Sequence, residues 1–193
     1  MRLDLADADI HWLPDFLEQS LADTLFRALV QEIEWRDDQI HLFGKTHPLP
    51  RRQQWFADDE RAYTYSNIRM HPVPWSAALS SVRTAVTRQT GLHFNTCLAN
   101  LYRNGADSNG WHSDDEPELG PDPIVASVSF GVARDFRLRH KHTGQTHTLK
   151  LTHGSLLLMG SGSQTHWQHS LPKRKRITEP RVNLTFRRMP PKS

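Results

Sequence analysis

The chain has 193 residues, of which 37% are hydrophobic and 23% charged, a balance that excludes a disordered chain and suits one domain with a sizeable core. The formal charge is +3 and the pI about 9.2. No apolar run reaches membrane-span length, Met1-Arg2-Leu3-Asp4-Leu5 lacks the apolar stretch of a secretory signal, and a lone Cys97 excludes an internal disulfide.

In chain order, Phe16, Leu17, Leu21, Leu25 and Leu29 recur at helical spacing, so a helix is predicted over about 15–30, with Asp15 as its cap. A second helix is predicted from about residue 75. Ala78, Leu79, Val82 and Val86 mark its buried face, and Gly91 its stop. Residues 40–74 between them are loop-rich. There Leu42-Phe43-Gly44-Lys45 sets an aromatic beside a Gly and a Lys, and Pro48 and Pro50 force extended backbone ahead of Arg51-Arg52. Tyr63-Thr64-Tyr65 puts two phenol rings on one face of an extended segment, as in a hairpin packed on the core.

From residue 94 the chain reads as strands: 94–102, 124–130, 135–140, 148–151, 155–159 and 165–171. Gly131, Thr143-Gly144, Gly154 and Gly160-Ser161-Gly162 separate them. Many short strands without intervening helices argue for an antiparallel sandwich or jelly roll, mainly β with flanking helices. The last strand, 181–187, alternates strictly. Arg181, Asn183, Thr185 and Arg187 share one face, and Val182, Leu184 and Phe186 the other. Two Arg separated by Asn and Thr form a donor surface suited to a carboxylate. If that face points into a barrel, a small dicarboxylate satisfies it.

His112-Ser113-Asp114 places an imidazole and a carboxylate on one face of an extended segment. With a distant His they would form a 2-His-1-carboxylate triad, which leaves coordination positions open and suits non-heme Fe(II) oxygenases. His140, His142, His147, His153, His166 and His169 are the candidates for the third ligand. His166 and His169, three apart, face opposite sides of a regular strand, so only one should reach the metal. Spacing does not choose among the six. Basic residues cluster at Arg51-Arg52, from Arg137 to Lys141, and at Lys173-Arg174-Lys175-Arg176, which points to a partner carrying phosphates.

Several of these segments together resemble the AlkB family of Fe(II)/2-oxoglutarate nucleic-acid dioxygenases. They are Asn100-Leu101-Tyr102, Trp111-His112-Ser113-Asp114-Asp115-Glu116, the run from Ile124 to Gly131, Arg134-Asp135-Phe136, His153-Gly154-Ser155-Leu156, the run from Thr165 to Pro172, and the run from Pro180 to Arg187. They occur in order, and the likeness runs from about residue 43 to 188. The resemblance implies a double-stranded β-helix, over about 94–190, behind helices and a nucleotide-recognition lid in 1–93. It implies Fe(II) on His112, Asp114 and His169, since the family's distal His precedes Ser-Leu-Pro. It assigns 2-oxoglutarate to Asn100, Tyr102, Arg181, Thr185 and Arg187, with Asn183 on the same face. Phe43-Gly44-Lys45 resembles the finger that the duplex-DNA branch inserts into the base stack. Tyr63 and Tyr65 resemble the rings that hold the flipped base, and Asp115 the acid that contacts it; Thr64 and Arg51 are counted with them as substrate contacts. Tyr65 stands where the family pattern has Phe, which should alter base preference.

The activity so implied is oxidative demethylation of 1-methyladenine and 3-methylcytosine in DNA, with O2 consumed and formaldehyde, succinate and CO2 released. Alternatives are the same chemistry on RNA or single strands, a non-catalytic nucleic-acid binder, or an oxygenase of a protein or small metabolite. A monomer is expected, cytoplasmic in a bacterium or nuclear in a eukaryote, without membrane association.

Overall fold

The computed structural model describes residues 1–42, 44–65 and 68–190. Strand β1 (Ile10–Leu13) leads into helix α1 (Gln19–Glu32). The helix starts later than the periodicity predicts. Phe16 and Leu17 belong to the incoming loop, where the Leu17 N–H bonds to the Gly154 carbonyl at 3.0 Å and the Leu17 side chain enters the core. Glu18, not Asp15, occupies the cap position. Two hairpins and a strand follow: β2 (Gln39–Leu42) with β3 (Lys45–Pro48), then β4 (Arg52–Ala57), then β5 (Tyr63–Tyr65) with β6 (Ile68–Met70). Helix α2 (Ala77–Thr90) buries the four residues read from its spacing. The Ser76 hydroxyl caps it by accepting the Leu79 N–H, and Gly91 closes it at φ 70°.

The remaining strands are β7 (Thr96–Tyr102), β8 (Asn109–His112), β9 (Val125–Gly131), β10 (Arg134–His140), β11 (Thr146–Leu151) and β12 (Ser155–Met159). A one-turn helix, α3 (Ser163–His166), precedes β13 (Trp167–Leu171), and β14 (Arg181–Arg187) ends the set. Thr165 and His166, expected in a strand, therefore lie in α3.

The larger sheet runs β1-β12-β9-β14-β7-β4 and the smaller β11-β10-β13-β8, with every pairing antiparallel. This is the expected jelly roll. The first 93 residues contribute both edge strands of the larger sheet, so they share one hydrogen-bonded frame with the rest of the chain. No helix among the described residues is long and apolar enough to cross a membrane.

Strand β14 shows how the layers form. All seven of its residues are buried. Val182, Leu184 and Phe186 join the core under α1 and α2, alongside Leu29, Val82 and Val86. Full burial of each such side chain contributes about 1.5–3 kcal/mol. Its polar residues face the other way, into the cup between the sheets rather than into water. A second core, containing Phe136, Leu138, Trp167 and the N-terminal Leu3 and Leu5, packs on the smaller sheet.

Candidate metal and keto-acid site

His112 ends β8 and His169 lies directly opposite it on β13. Cross-strand pairing thus sets the two rings against each other, with centroids 4.2 Å apart in an edge-on arrangement. The His112 Nδ1–H donates to the Gly110 carbonyl at 2.8 Å, so the lone pair is on Nε2, which stands 3.2 Å from Asn109 Nδ2. His169 stacks on Phe136 at 5.2 Å. Asp114 sits two residues beyond β8. Ligand atoms of His112, Asp114 and His169 all lie within 4.8 Å of one another.

The protonation states suit a cation. Burial holds His112 below its usual range. Burial, with the neighbouring His112, pushes His169 down to about 3. Burial opposes ionisation of Asp114, but the Arg187 guanidinium and the two imidazoles outweigh it and hold the carboxyl at about 2. The arrangement is two neutral imidazoles and one carboxylate at neutral pH, the state a metal requires. Asp114 Oδ2 meets Arg187 Nη2 at 2.9 Å, while its buried Oδ1 has no hydrogen-bond partner among the described residues. An oxygen so placed calls for a cation.

Asp7, His140 and His166 also converge, but they are not built to hold a metal. His140 Nδ1 accepts the backbone N–H groups of His142 at 3.2 Å and Thr143 at 3.1 Å. Its proton is therefore on Nε2, which donates to Asp7 Oδ2 at 3.2 Å. A metal on Nε2 would force the proton onto Nδ1, against two N–H groups. That cluster fastens the N-terminal segment and takes His140 and His166 out of the list of candidate ligands.

The other end of the cup belongs to the larger sheet. Arg181, Asn183, Thr185 and Arg187 on β14 and Asn100 and Tyr102 on β7 line one pocket with the His-Asp-His group. Register explains it, since Arg181 pairs with Tyr102 and Asn183 with Asn100. Arg181 is 2% exposed. It donates to Ser129 Oγ at 2.9 Å and lies over the Tyr102 ring at 5.3 Å. No carboxylate pairs with it among the described residues, and its Nε has no partner there. Burial pushes it down to about 10, against the pull of Tyr102. Asn183 is braced by Ser127 Oγ at 2.8 Å, and Thr185 donates to Asn183 Oδ1 at 3.2 Å.

The substrate-side residues divide. Tyr63 is fully buried and stacks on Trp55 at 4.3 Å. Thr64 is exposed, as is Asp115, whose carboxylate reaches Lys141 Nζ at 3.4 Å. Gly44, at φ 73°, and Lys45 are exposed at the tip of the β2–β3 hairpin. Phe43 lies outside the described residues, and the Tyr65 side chain is not described. Arg51 is 3% exposed, and its Nε donates to Asn100 Oδ1 at 3.0 Å. It braces the pocket wall from behind. Of the basic clusters, Arg52 pairs with Asp37 at 3.0 Å, Arg174 with Asp135 at 2.7 Å, and Arg139 lies over Trp111 at 4.4 Å. Arg137, Lys173, Lys175 and Arg176 are exposed.

Sequence reasoning missed Ser127, Ser129, Asn109, Glu116 and Gln164. The two Ser follow from strand alternation in β9 once its pairing with β14 is known. Glu116 directly follows Asp115; its carboxyl is pushed up by burial and stands against Tyr63 and Arg187.

Fold and site together define a metal- and keto-acid-binding jelly roll, and comparison with known proteins agrees. Residues 9–187 match the model of the 2OG-Fe(II) oxygenase superfamily. The chain is 46% identical over 181 residues to the DNA oxidative demethylase ALKBH2 of Mus musculus, covering 88% of this chain and 76% of that one. It is 44% identical to the Homo sapiens ALKBH2, with 87% and 69% covered. It is 40% identical to the Homo sapiens alpha-ketoglutarate-dependent dioxygenase alkB homolog 3, with 92% and 65% covered. The solved structure of OsALKBH1 superposes with a TM-score of 0.64 at 17% identity, covering 93% of this chain and 97% of that one, a likeness of fold. The chain belongs to the AlkB family of the 2OG-Fe(II) oxygenase superfamily.

Proposed function

We propose that this protein is a DNA oxidative demethylase that uses Fe(II), O2 and 2-oxoglutarate on bases such as 1-methyladenine and 3-methylcytosine. One observation carries the reading. A buried Arg181 with no carboxylate partner among the described residues shares a cup with the buried, unpartnered Asp114 Oδ1. The cup lacks an anion at one end and a cation at the other, and a metal-chelating dicarboxylate supplies both. Relatives named as DNA oxidative demethylases support the substrate.

His112, Asp114 and His169 are the proposed iron ligands. Arg181 and Tyr102 take the far carboxylate of 2-oxoglutarate, and Asn100, Asn183, Thr185 and Arg187 line its path. Iron and keto acid together supply an O2-driven hydroxylation of the N-methyl carbon, which leaves as formaldehyde beside succinate and CO2. Arg187 holds Asp114 ionised, and burial keeps both imidazoles unprotonated. Asp115 and Glu116 put carboxylates beside the base, where they favour the cationic methylated forms; a cation facing Tyr63 and Tyr65 gains about 0.5–2 kcal/mol once the Tyr63 ring, buried against Trp55, is uncovered. The base must leave the stack. Phe43, Gly44 and Lys45 are the proposed wedge, and Arg137, Lys173, Lys175 and Arg176 hold phosphates without reading sequence.

The test is mass spectrometry of 1-methyladenine and 3-methylcytosine oligonucleotides, single-stranded and duplex, incubated with protein, Fe(II), ascorbate and 2-oxoglutarate. Loss of one methyl that requires 2-oxoglutarate, with duplex accepted, is expected. Activity on single strands or RNA alone overturns the duplex reading. Succinate production without methyl loss overturns the substrate.

A further inference from the structure

The 113–115 turn carries the proposed acidic ligand and the proposed base-contacting acid, yet it lies just beyond the end of β8. Apart from the Asp114–Arg187 ion pair, the bonds that hold it lead to α3 and its end. Ser113 Oγ donates to the Trp167 carbonyl, just past the end of α3, at 3.0 Å. The Asp114 N–H donates to Gln164 Oε1 at 2.9 Å. Asp115 meets Lys141 Nζ at 3.4 Å, and the same ammonium donates to the Gln164 carbonyl at 2.7 Å. Gln164 is 1% exposed. Its amide nitrogen donates to Ser163 Oγ at 3.3 Å and Met159 Sδ at 3.7 Å. The whole amide is thus committed, as a buried polar group must be, and its oxygen is committed to the turn rather than to α3.

With its N–H fixed, the Asp114 carboxylate has two neighbours to divide itself between. Arg187 takes Oδ2, and Oδ1 is left toward the imidazoles. Without the Gln164 bond the turn is anchored at this point only through the Asp114–Arg187 ion pair, which draws the carboxylate toward β14 and away from His112 and His169.

We propose that Gln164 is a positioning residue for the metal centre: its side-chain carbonyl sets Asp114 against the two imidazoles, and its backbone carbonyl, through Lys141, sets Asp115 beside it. This rests on the ligand reading above.

The test is calorimetric titration of metal-free protein with Mn(II), a redox-silent probe, with circular dichroism to check folding. Gln164→Met removes the acceptor at similar volume. Its Mn(II) dissociation constant should rise about 10–100-fold, the usual effect of losing a group that orients a ligand. The KM for 2-oxoglutarate at saturating metal should stay within about threefold, because Arg181 and Tyr102 are untouched. Gln164→Glu keeps an oxygen at the same reach and should restore most of the metal affinity. Wild-type Mn(II) affinity in Gln164→Met overturns the proposal, and so does equal weakening toward Mn(II) and 2-oxoglutarate, the mark of general loosening. Should Gln164→Met not fold, amide exchange of Asp114 in the wild type decides: protection supports the bond and free exchange overturns it. His112→Ala separates the two levels. If it also binds Mn(II) like the wild type, the ligand assignment itself falls.

Discussion

Replacing Arg181 by Met should raise the stability of the ligand-free protein while destroying its affinity for 2-oxoglutarate. Burial holds this guanidinium at about 10, against an ordinary value of 12.5, which corresponds to about 3 kcal/mol of uncompensated desolvation. Met fills similar volume without the charge. The pull of Tyr102 is already contained in that shift, so only the Ser129 hydrogen bond, about 1 kcal/mol, stands against the gain. The balance is a gain of about 2 kcal/mol, or about 4–8 °C in Tm for a chain of this size. Loss of the buried partner for a carboxylate costs about 3–5 kcal/mol, so the KM for 2-oxoglutarate should rise about 10²–10³-fold. Thermal scans with and without 2-oxoglutarate and Mn(II), beside a succinate assay, read both effects. A variant that melts lower than wild type and keeps its KM within threefold would refute the idea that this cation awaits an anion.

Three further outcomes follow from the same geometry. The Asp114 carboxyl is held at about 2, below its ordinary 3.8, so it contributes about 2 kcal/mol to the metal-free fold. That contribution is complete above about pH 4 and disappears as pH falls through 2; urea unfolding across that window should show a steeper slope in wild type than in Asp114→Asn. The Glu116 carboxyl is pushed up by burial, so its ionised form destabilises the fold. Glu116→Gln should be more stable than wild type at pH 8, with the difference closing as pH falls through the raised folded value and gone below the range where the unfolded carboxyl ionises; a difference that widens in acid contradicts the cause. Gly162 sits at φ 77°, and a Cβ there would lie 2.1 Å from the Asp7 carbonyl oxygen. Gly162→Ala should therefore cost at least about 2 kcal/mol, seen as a drop in Tm.

Legibility in the sequence tracked whether a feature is carried by local pattern or by distant partners. The strict alternation of β14 disclosed a polar face complete with Arg181 and Arg187, because strand geometry alone separates odd from even residues. The same was true of the buried stripe and the Gly91 stop of α2, though not of its Ser76 cap. Spacing could not choose between His166 and His169, because the choice depends on α3, a single turn inserted where the composition reads as strand. That turn points His166 at His140 and leaves His169 opposite His112. The burial of Arg51 was not legible because a basic pair after Pro50 looks like surface, and nothing local shows that β4 runs beside β7 and puts Arg51 next to Asn100. Gln164 was missed for the same reason: its meaning lies in the Asp114 amide, 50 residues away.

The cup is also divided between two sheets, and this has a consequence for ligand binding. The His-Asp-His end belongs to the smaller sheet and the Arg181 end to the larger. The buried Asp114–Arg187 pair crosses between them. On the proposed assignment a metal alone would touch only the first end, and 2-oxoglutarate alone would reach Arg181 without a chelation partner. Bound together they would join the sheets. Each ligand at 100 times its dissociation constant stabilises a fold by about 2.7 kcal/mol, or about 5–10 °C here. The shift with Mn(II) and 2-oxoglutarate together should therefore exceed the sum of the separate shifts, and Arg181→Met should reduce it to the shift from Mn(II) alone. Strictly additive shifts in the wild type would mean that the two ends do not share a ligand.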